Sequence, residues 1–101
     1  MQRVEVDAYV IDVLMRDLVG HDRQPSAFLV YLHLWRRGSD DERHTVTASL
    51  REIAEGTGLS KRAVQDGIAT LHRRRLIGIH RESVTAVPVY TVHRPWARTK
   101  H

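Results

Sequence analysis

Cysteine is absent from the 101-residue chain, and proline (three), phenylalanine (one) and aromatic residues as a whole (6%) are scarce. Without cysteine there is no disulfide framework and no thiolate metal site. No apolar run approaches the roughly 20 residues needed to cross a bilayer. The first ten residues, MQRVEVDAYV, lack the basic start and long apolar stretch of a secretion signal. The cytoplasm is therefore the expected location, and no membrane partner is expected. Also missing are the HExxH, GxSxG, P-loop and Rossmann glycine patterns that mark common enzyme chemistries. The seven histidines are scattered, and none stands four residues from another, so no helical metal-ligand pair exists. These absences predict a protein that is not an enzyme and takes no cofactor or metal, and no small-molecule ligand is implied.

What is present is ordinary for one soluble globular domain: 42% hydrophobic and 28% charged residues. A chain of this length buries roughly 60–70% of its unfolded surface, enough for a single core. The net charge of +4 is unevenly spread. Residues 1–59 hold seven Arg and no Lys against ten Asp and Glu, giving −3. Residues 60–101 hold nine Lys and Arg against Asp66 and Glu82, giving +7. Such asymmetry predicts a face that meets a polyanion.

Helical spacing predicts a first helix over Asp7 to Val19, with Tyr9, Val10, Val13, Leu14 and Leu18 on one side. Asp7 is its candidate cap, and Gly20 is expected to close it. Pro25 and Ser26 open a second helix, AFLVYLHLWRR, apolar nearly all round and so expected to be the central core helix. Its main stripe reads Phe28, Leu29, Leu32 and Trp35, widened by Val30, Tyr31 and Leu34. His33 is expected to pack among these residues rather than to bind a ligand. Ser39 to Arg43 reads as a solvated loop, and His44 to Ala48 as a short β-branched strand.

The stretch from Ser49 to Ile77 is the most informative. Ser49 and Glu52 have the spacing of a capping box, and Leu50, Ile53 and Ala54 continue at helical spacing. Gly56, Thr57 and Gly58 end this helix, Gly58 being able to take the left-handed conformation. Ser60 is the next N-cap, Leu59 is placed to drop between the helices, and Val64, Ile68 and Leu71 form one apolar stripe. Beyond, Ile77 and Ile79 alternate with Gly78 and His80 as a half-buried strand, residues 84–87 form a turn, and Val89 to His93 return with Tyr90 and Val92 inward. Pro95 ends that strand, Trp96 is expected to anchor the tail, and ARTKH to fray.

Residues Leu50, Arg51, Glu52, Ile53, Ala54, Gly58, Leu59, Ser60, Val64, Leu71, Leu76 and Ile77 resemble the helix-turn-helix of bacterial winged-helix regulators of the GntR and MarR kinds. The resemblance implies a mainly α fold with a small antiparallel β-sheet (α+β): a winged helix-turn-helix with two N-terminal helices. Residues 1–101 would form one domain, divided into N-terminal helices and first strand (1–48), helix-turn-helix (49–75), β-wing (76–94) and tail (95–101). It also implies that the second helix of the motif reads double-stranded DNA. The wing tip carries Val84, Ala86, Val87 and Pro88 where relatives have a glycine, and Arg75 stands where relatives have a glycine before Leu-Ile. A left-handed or bridging backbone would accommodate Arg75 at modest cost.

With Val64 set at the core-facing centre, about 100° per residue turns Arg62, Asp66, Ala69 and Arg73 outward, with Gln65 and Thr70 at the flanks. Arg grips guanine bidentately and Gln grips adenine, so Arg62 and Gln65 in the first turns are the leading base-reading residues, with Asp66 and Ala69 beside them. Asp66 fits three readings: it accepts from cytosine N4, it orients Arg62 through an i,i+4 pair, or the helix enters no groove. Ser49, Ser60, Lys61, Arg73, Arg81 and Arg94 are candidate phosphate contacts. Arg73, Arg74 and Arg75 also suit a helix C-terminus, where cations contribute about 0.3–1 kcal/mol without any ligand. The expected function is sequence-specific DNA binding by a transcriptional regulator, as a homodimer on a palindrome, with Tyr9, Val10 and Val13 as a candidate dimer surface. A plasmid or phage replication or mobile-element protein and a winged-helix protein-interaction module are the two alternatives.

Overall fold

The computed structural model describes residues 1–97, so the expected fraying of the tail lies, apart from Ala97, outside the described residues. Helix α1 (Pro25–Gly38) runs through the middle, α2 (Leu50–Thr57) and α3 (Lys61–Arg73) form the motif, and a three-stranded sheet closes the fold. The strands β1 (Thr45–Thr47), β2 (Ile77–His80) and β3 (Val89–Val92) are antiparallel in the order β1-β3-β2. This is the expected α+β winged helix-turn-helix.

The N-terminal segment is helical but mostly not α. Two π-helical stretches, Val10–Leu14 and Arg16–His21, follow one another. A π-helix closes each hydrogen bond over five residues instead of four, as between the Met15 N–H and the Val10 carbonyl and between the Asp22 N–H and the Asp17 carbonyl. In an α-helix residues four apart drift by about 40°; the wider turn keeps Val10, Leu14 and Leu18 closer to one row, and all three are buried. Three expectations fail here. Gly20 does not close the helix, which runs through His21; the chain turns at Arg23, with φ 54°, and the Gln24 N–H reaches the Leu18 carbonyl. Asp7 is not a side-chain cap: its carboxylate accepts the Trp96 indole N–H at 2.9 Å. Val10, expected in the dimer surface, lies in the core, whereas Tyr9 stays 39% exposed while stacking on Trp96 with centroids 4.6 Å apart, and Val13 is half-buried.

Helix α1 starts with Pro25 at its first turn and buries Ala27, Phe28, Val30, Tyr31, Leu34 and Trp35. Leu29, expected in the stripe, is exposed and Leu32 half-buried. Burial on this face is set by neighbouring elements rather than by hydropathy alone. The Tyr31 hydroxyl donates to the His93 carbonyl at 2.8 Å, and the Trp35 indole to the Glu5 carbonyl at 2.8 Å. These bonds tie β3 and the N-terminal residues to the same helix. His33 is only half-buried and packs against α2 rather than in the core: its ring occupies the space a side chain at Gly56 would need, 2.3 Å from an ideal Cβ. Burial and the nearby Arg37 lower its pKa.

The loop before β1 is solvated as expected at Asp40, Glu42 and Arg43, while Ser39 and Asp41 are half-buried. Asp41 accepts from both the Thr45 N–H (2.8 Å) and hydroxyl (2.6 Å), which fixes where the strand starts. In the sheet, Thr45 pairs with Thr91 and Val46 with Tyr90 on one side, and Ile77 with Val92 and Ile79 with Tyr90 on the other. Val46, Ile77, Tyr90 and Val92 are buried. Ile79 is exposed despite its inward register, because β2 runs out beyond the core towards the wing.

Helix α3 packs tightly on α1 at Gly67. A Cβ there would meet the Ser26 carbonyl carbon at 3.1 Å and the Ala27 Cα at 3.2 Å. At its C-terminus Arg75 takes φ 60°, its N–H bonds the His72 carbonyl, and the Leu76 N–H bonds the Leu71 carbonyl. That is the Schellman arrangement, with the left-handed residue usually glycine and the Leu71–Leu76 positions both buried. Two substitutions should therefore act in opposite directions. Gly67→Ala is expected to cost about 1–3 kcal/mol by forcing backbone apart, and Arg75→Gly to stabilise by up to about 1 kcal/mol by removing left-handed strain. Urea unfolding of the three proteins checks both signs.

Candidate nucleic-acid interface

The two helices of the motif are shaped by their caps. Ser49 and Glu52 form the capping box: the Glu52 N–H donates to Ser49 Oγ at 3.1 Å and the Ser49 N–H to Glu52 Oε1 at 2.9 Å. The turn between the helices uses Gly58 at φ 80°, whose N–H bonds the Ala54 carbonyl. The Thr57 hydroxyl donates to the Ile53 carbonyl and accepts from the Leu59 N–H. Leu59 packs against the core. Ser60 Oγ then accepts the Ala63 N–H at 3.1 Å and starts α3.

The buried side of α3 is Val64, Gly67, Ile68, Thr70 and Leu71. Thr70, expected at the flank, is in the core at 2% exposure. The reason is Gly67. As a contact point with α1 it belongs to the inward face, which rotates the helix relative to a wheel centred on Val64. Gln65 is carried outward by the same rotation. The exposed face is Lys61, Arg62, Gln65, Asp66, Ala69, His72 and Arg73. His72 went unnoticed in the sequence, although it continues the series Gln65, Ala69 at helical spacing. The first turn contains no acidic residue, and its amide end carries the positive pole of the helix.

The candidate base-reading residues Arg62, Gln65, Asp66 and Ala69 thus share one solvent-facing surface. Arg62 and Asp66 approach each other, Nε to Oδ1 3.7 Å, which is the i,i+4 pair of one of the three readings of Asp66. The candidate phosphate contacts are not brought together. Ser60 and Lys61 lie at the start of α3 and Arg73 at its end, where a guanidinium nitrogen lies 3.5 Å from the Thr70 hydroxyl. Ser49 has its N–H and oxygen engaged in the capping box. Arg81 is exposed at the start of the wing loop, beside a His80–Glu82 contact of 3.5 Å. Arg94 departs from the expected phosphate contact: just after β3, its guanidinium lies 4.0 Å over the Trp35 ring. It serves internal packing there.

Arg74 is also committed internally. Its Nε donates to Asp22 at 2.8 Å, and Asp17 lies 4.0 Å away. The Arg74 hydrogen bond, followed by that of His21, holds the Asp22 carboxyl below its usual range. This pair fastens the end of α3 to the turn after the N-terminal segment. Among the described residues no group of three or more His, Cys, Asp or Glu is arranged to hold a metal ion, and no helix is long and apolar enough to cross a membrane.

A central helix, a capped two-helix motif with an exposed second helix, and a three-stranded sheet define a winged helix-turn-helix protein, an architecture that presents its second motif helix to DNA. The chain belongs to the helix-turn-helix domain family, whose model matches residues 24–77, more than half of its length. Comparison with curated proteins and with solved structures gave no match.

Arg74→Ala should lower the thermal midpoint at neutral pH by leaving Asp22 without its partner. Because the folded carboxyl has a pKa below 3.8, the contribution of the pair is full above that value and fades as pH falls through the lower folded value. The difference between Arg74→Ala and the parent in thermal melts should therefore shrink in strong acid.

Proposed function

We propose that the protein binds double-stranded DNA sequence-specifically, as a cytoplasmic, non-enzymatic transcriptional regulator of the GntR- or MarR-like kind, and acts as a homodimer on a palindrome. The observation that carries this reading is the outward face of α3, with Lys61, Arg62, Gln65 and Ala69 on one surface and no acidic residue in the first turn. The face enters the major groove. Arg62 reads guanine and Gln65 adenine, while Asp66 holds Arg62 in its pairing geometry between encounters. Lys61 and the Ser60 end of the helix take one phosphate, Arg73 another, and Arg81 a third on the flank.

A second reading, a protein-binding module, is favoured by the wing tip, where Val84 is 92% exposed and Val87 is also exposed. Salt separates the two. Phosphate contacts release counterions, so DNA affinity falls steeply with ionic strength, whereas apolar contact through Val84 and Val87 does not.

Selection of binding sites from a random duplex pool at moderate salt tests the proposal, and failure to enrich any sequence would remove it. On the selected site, Arg62→Ala is expected to cost about 1–3 kcal/mol and relax preference at one base position. Arg81→Ala should instead weaken all sequences alike and reduce the salt slope by about one unit. Fluorescence anisotropy across a salt series distinguishes the two outcomes.

A further inference from the structure

The N-terminal segment sorts its side chains into rows four residues apart, and the row beside the buried one is apolar as well. Ile11, Met15 and Val19 are 47%, 38% and 38% exposed, while Val10, Leu14 and Leu18 next to them fill the core. The flank formed by Asp17 turns towards Arg74, so the Ile11 row occupies the opposite flank. An apolar row of this kind, turned to water on a helix that already has its inward contact, is the mark of an interaction surface.

We infer that Ile11, Met15 and Val19 are where two copies of this chain meet, antiparallel about a two-fold axis at Met15; this rests on the homodimer of the proposed function and gives it a surface. The occupant is argued from charge. Next to the apolar row stand Asp12 and Arg16, one turn apart and of opposite sign. Among the described residues neither takes part in an ion pair. An antiparallel pairing sets Ile11 against Val19 of the second copy and runs the charged row against itself in reverse. Asp12 of each copy then meets Arg16 of the other, twice by symmetry. A parallel pairing brings a different row opposite and leaves both charges without these partners. The surface is self-complementary, which an unrelated partner would match only by coincidence.

Three partly exposed side chains supply much less than the roughly 800 Å² per partner of a standard interface. The pairing is therefore weak in free solution and is reinforced when two chains occupy neighbouring half-sites on one duplex.

Sedimentation equilibrium of the full chain without DNA tests this. The weight-average mass should rise from one chain towards two as concentration increases through the micromolar range and above. Met15→Asp should hold it at one chain. Asp12→Arg and Arg16→Asp should each raise the dimer dissociation constant about three- to tenfold, and the double exchange should return it to the parent value. Circular dichroism verifies folding of each variant, and the exchange pair remains decisive if Met15→Asp does not fold. A monomer at every concentration, a dimer indifferent to these substitutions, or a double exchange that fails to restore association overturns the inference. Binding to a single half-site separates this from the DNA reading. Met15→Asp should keep half-site affinity, whereas absence of half-site binding by the parent chain would count against α3 and leave the dimer surface standing.

Discussion

The close approach of α3 to α1 at Gly67 governs how the outer face of the protein is composed. A Cβ at Gly67 would stand only 3.1–3.2 Å from the backbone of Ser26 and Ala27, so there is little room for a side chain. This packing fixes not only the spacing of the two helices but the rotation of α3 about its own axis. That rotation decides that Thr70 is inside and that Gln65 and His72 are outside. A helix of the same sequence docked through a larger residue would present a different set of side chains. The chemistry of the exposed face is thus a consequence of a residue that takes no part in it.

The arginines divide by the same logic. Arg74 is bonded to Asp22, Arg94 lies over Trp35, Arg51 pairs with Glu55 at 3.2 Å, and Arg36 bonds Gln2 and Ser39. Each of these guanidiniums has work inside the chain. Arg62 keeps only a loose, exposed partner in Asp66, and Arg73, Arg75 and Arg81 face solvent. A surplus of positive charge in the second half of the sequence therefore overstates what is free to meet a polyanion. Among the described residues the free part is concentrated on α3 and at the two ends of β2.

The motif was the most legible part of the chain because its signals are local. Ser49 with Glu52, Gly58, and Ser60 act through bonds to backbone three or four residues away, and all form where the sequence places them. The aromatic and β-branched pairing of β3 was also readable, since Tyr90 and Val92 alternate inward. What the sequence hid depends on contacts distant along the chain. Gly67 looks like a weak helix position until α1 is beside it. Arg94 looks like a wing cation until Trp35 is beneath it. Leu29 looks like core because hydropathy cannot tell which side of α1 lacks a neighbour. The wide turn of the N-terminal segment was missed for another reason: apolar residues at Val10, Leu14 and Leu18 satisfy an α-helical template well enough to conceal the π geometry.

An aromatic column brings the two ends of the described chain together. Tyr9 stacks on Trp96, Trp96 lies parallel to Trp35 at 6.4 Å, and the Trp96 indole is bonded to Asp7. Positions 7 and 96 are therefore neighbours in space, so a short peptide joining the flanks of this column would close a ring at little entropic cost. The chain could then be opened instead among the exposed residues Ser83, Val84 and Thr85, yielding a circularly permuted protein with the same helices and the same sheet, its new ends at the tip of the wing.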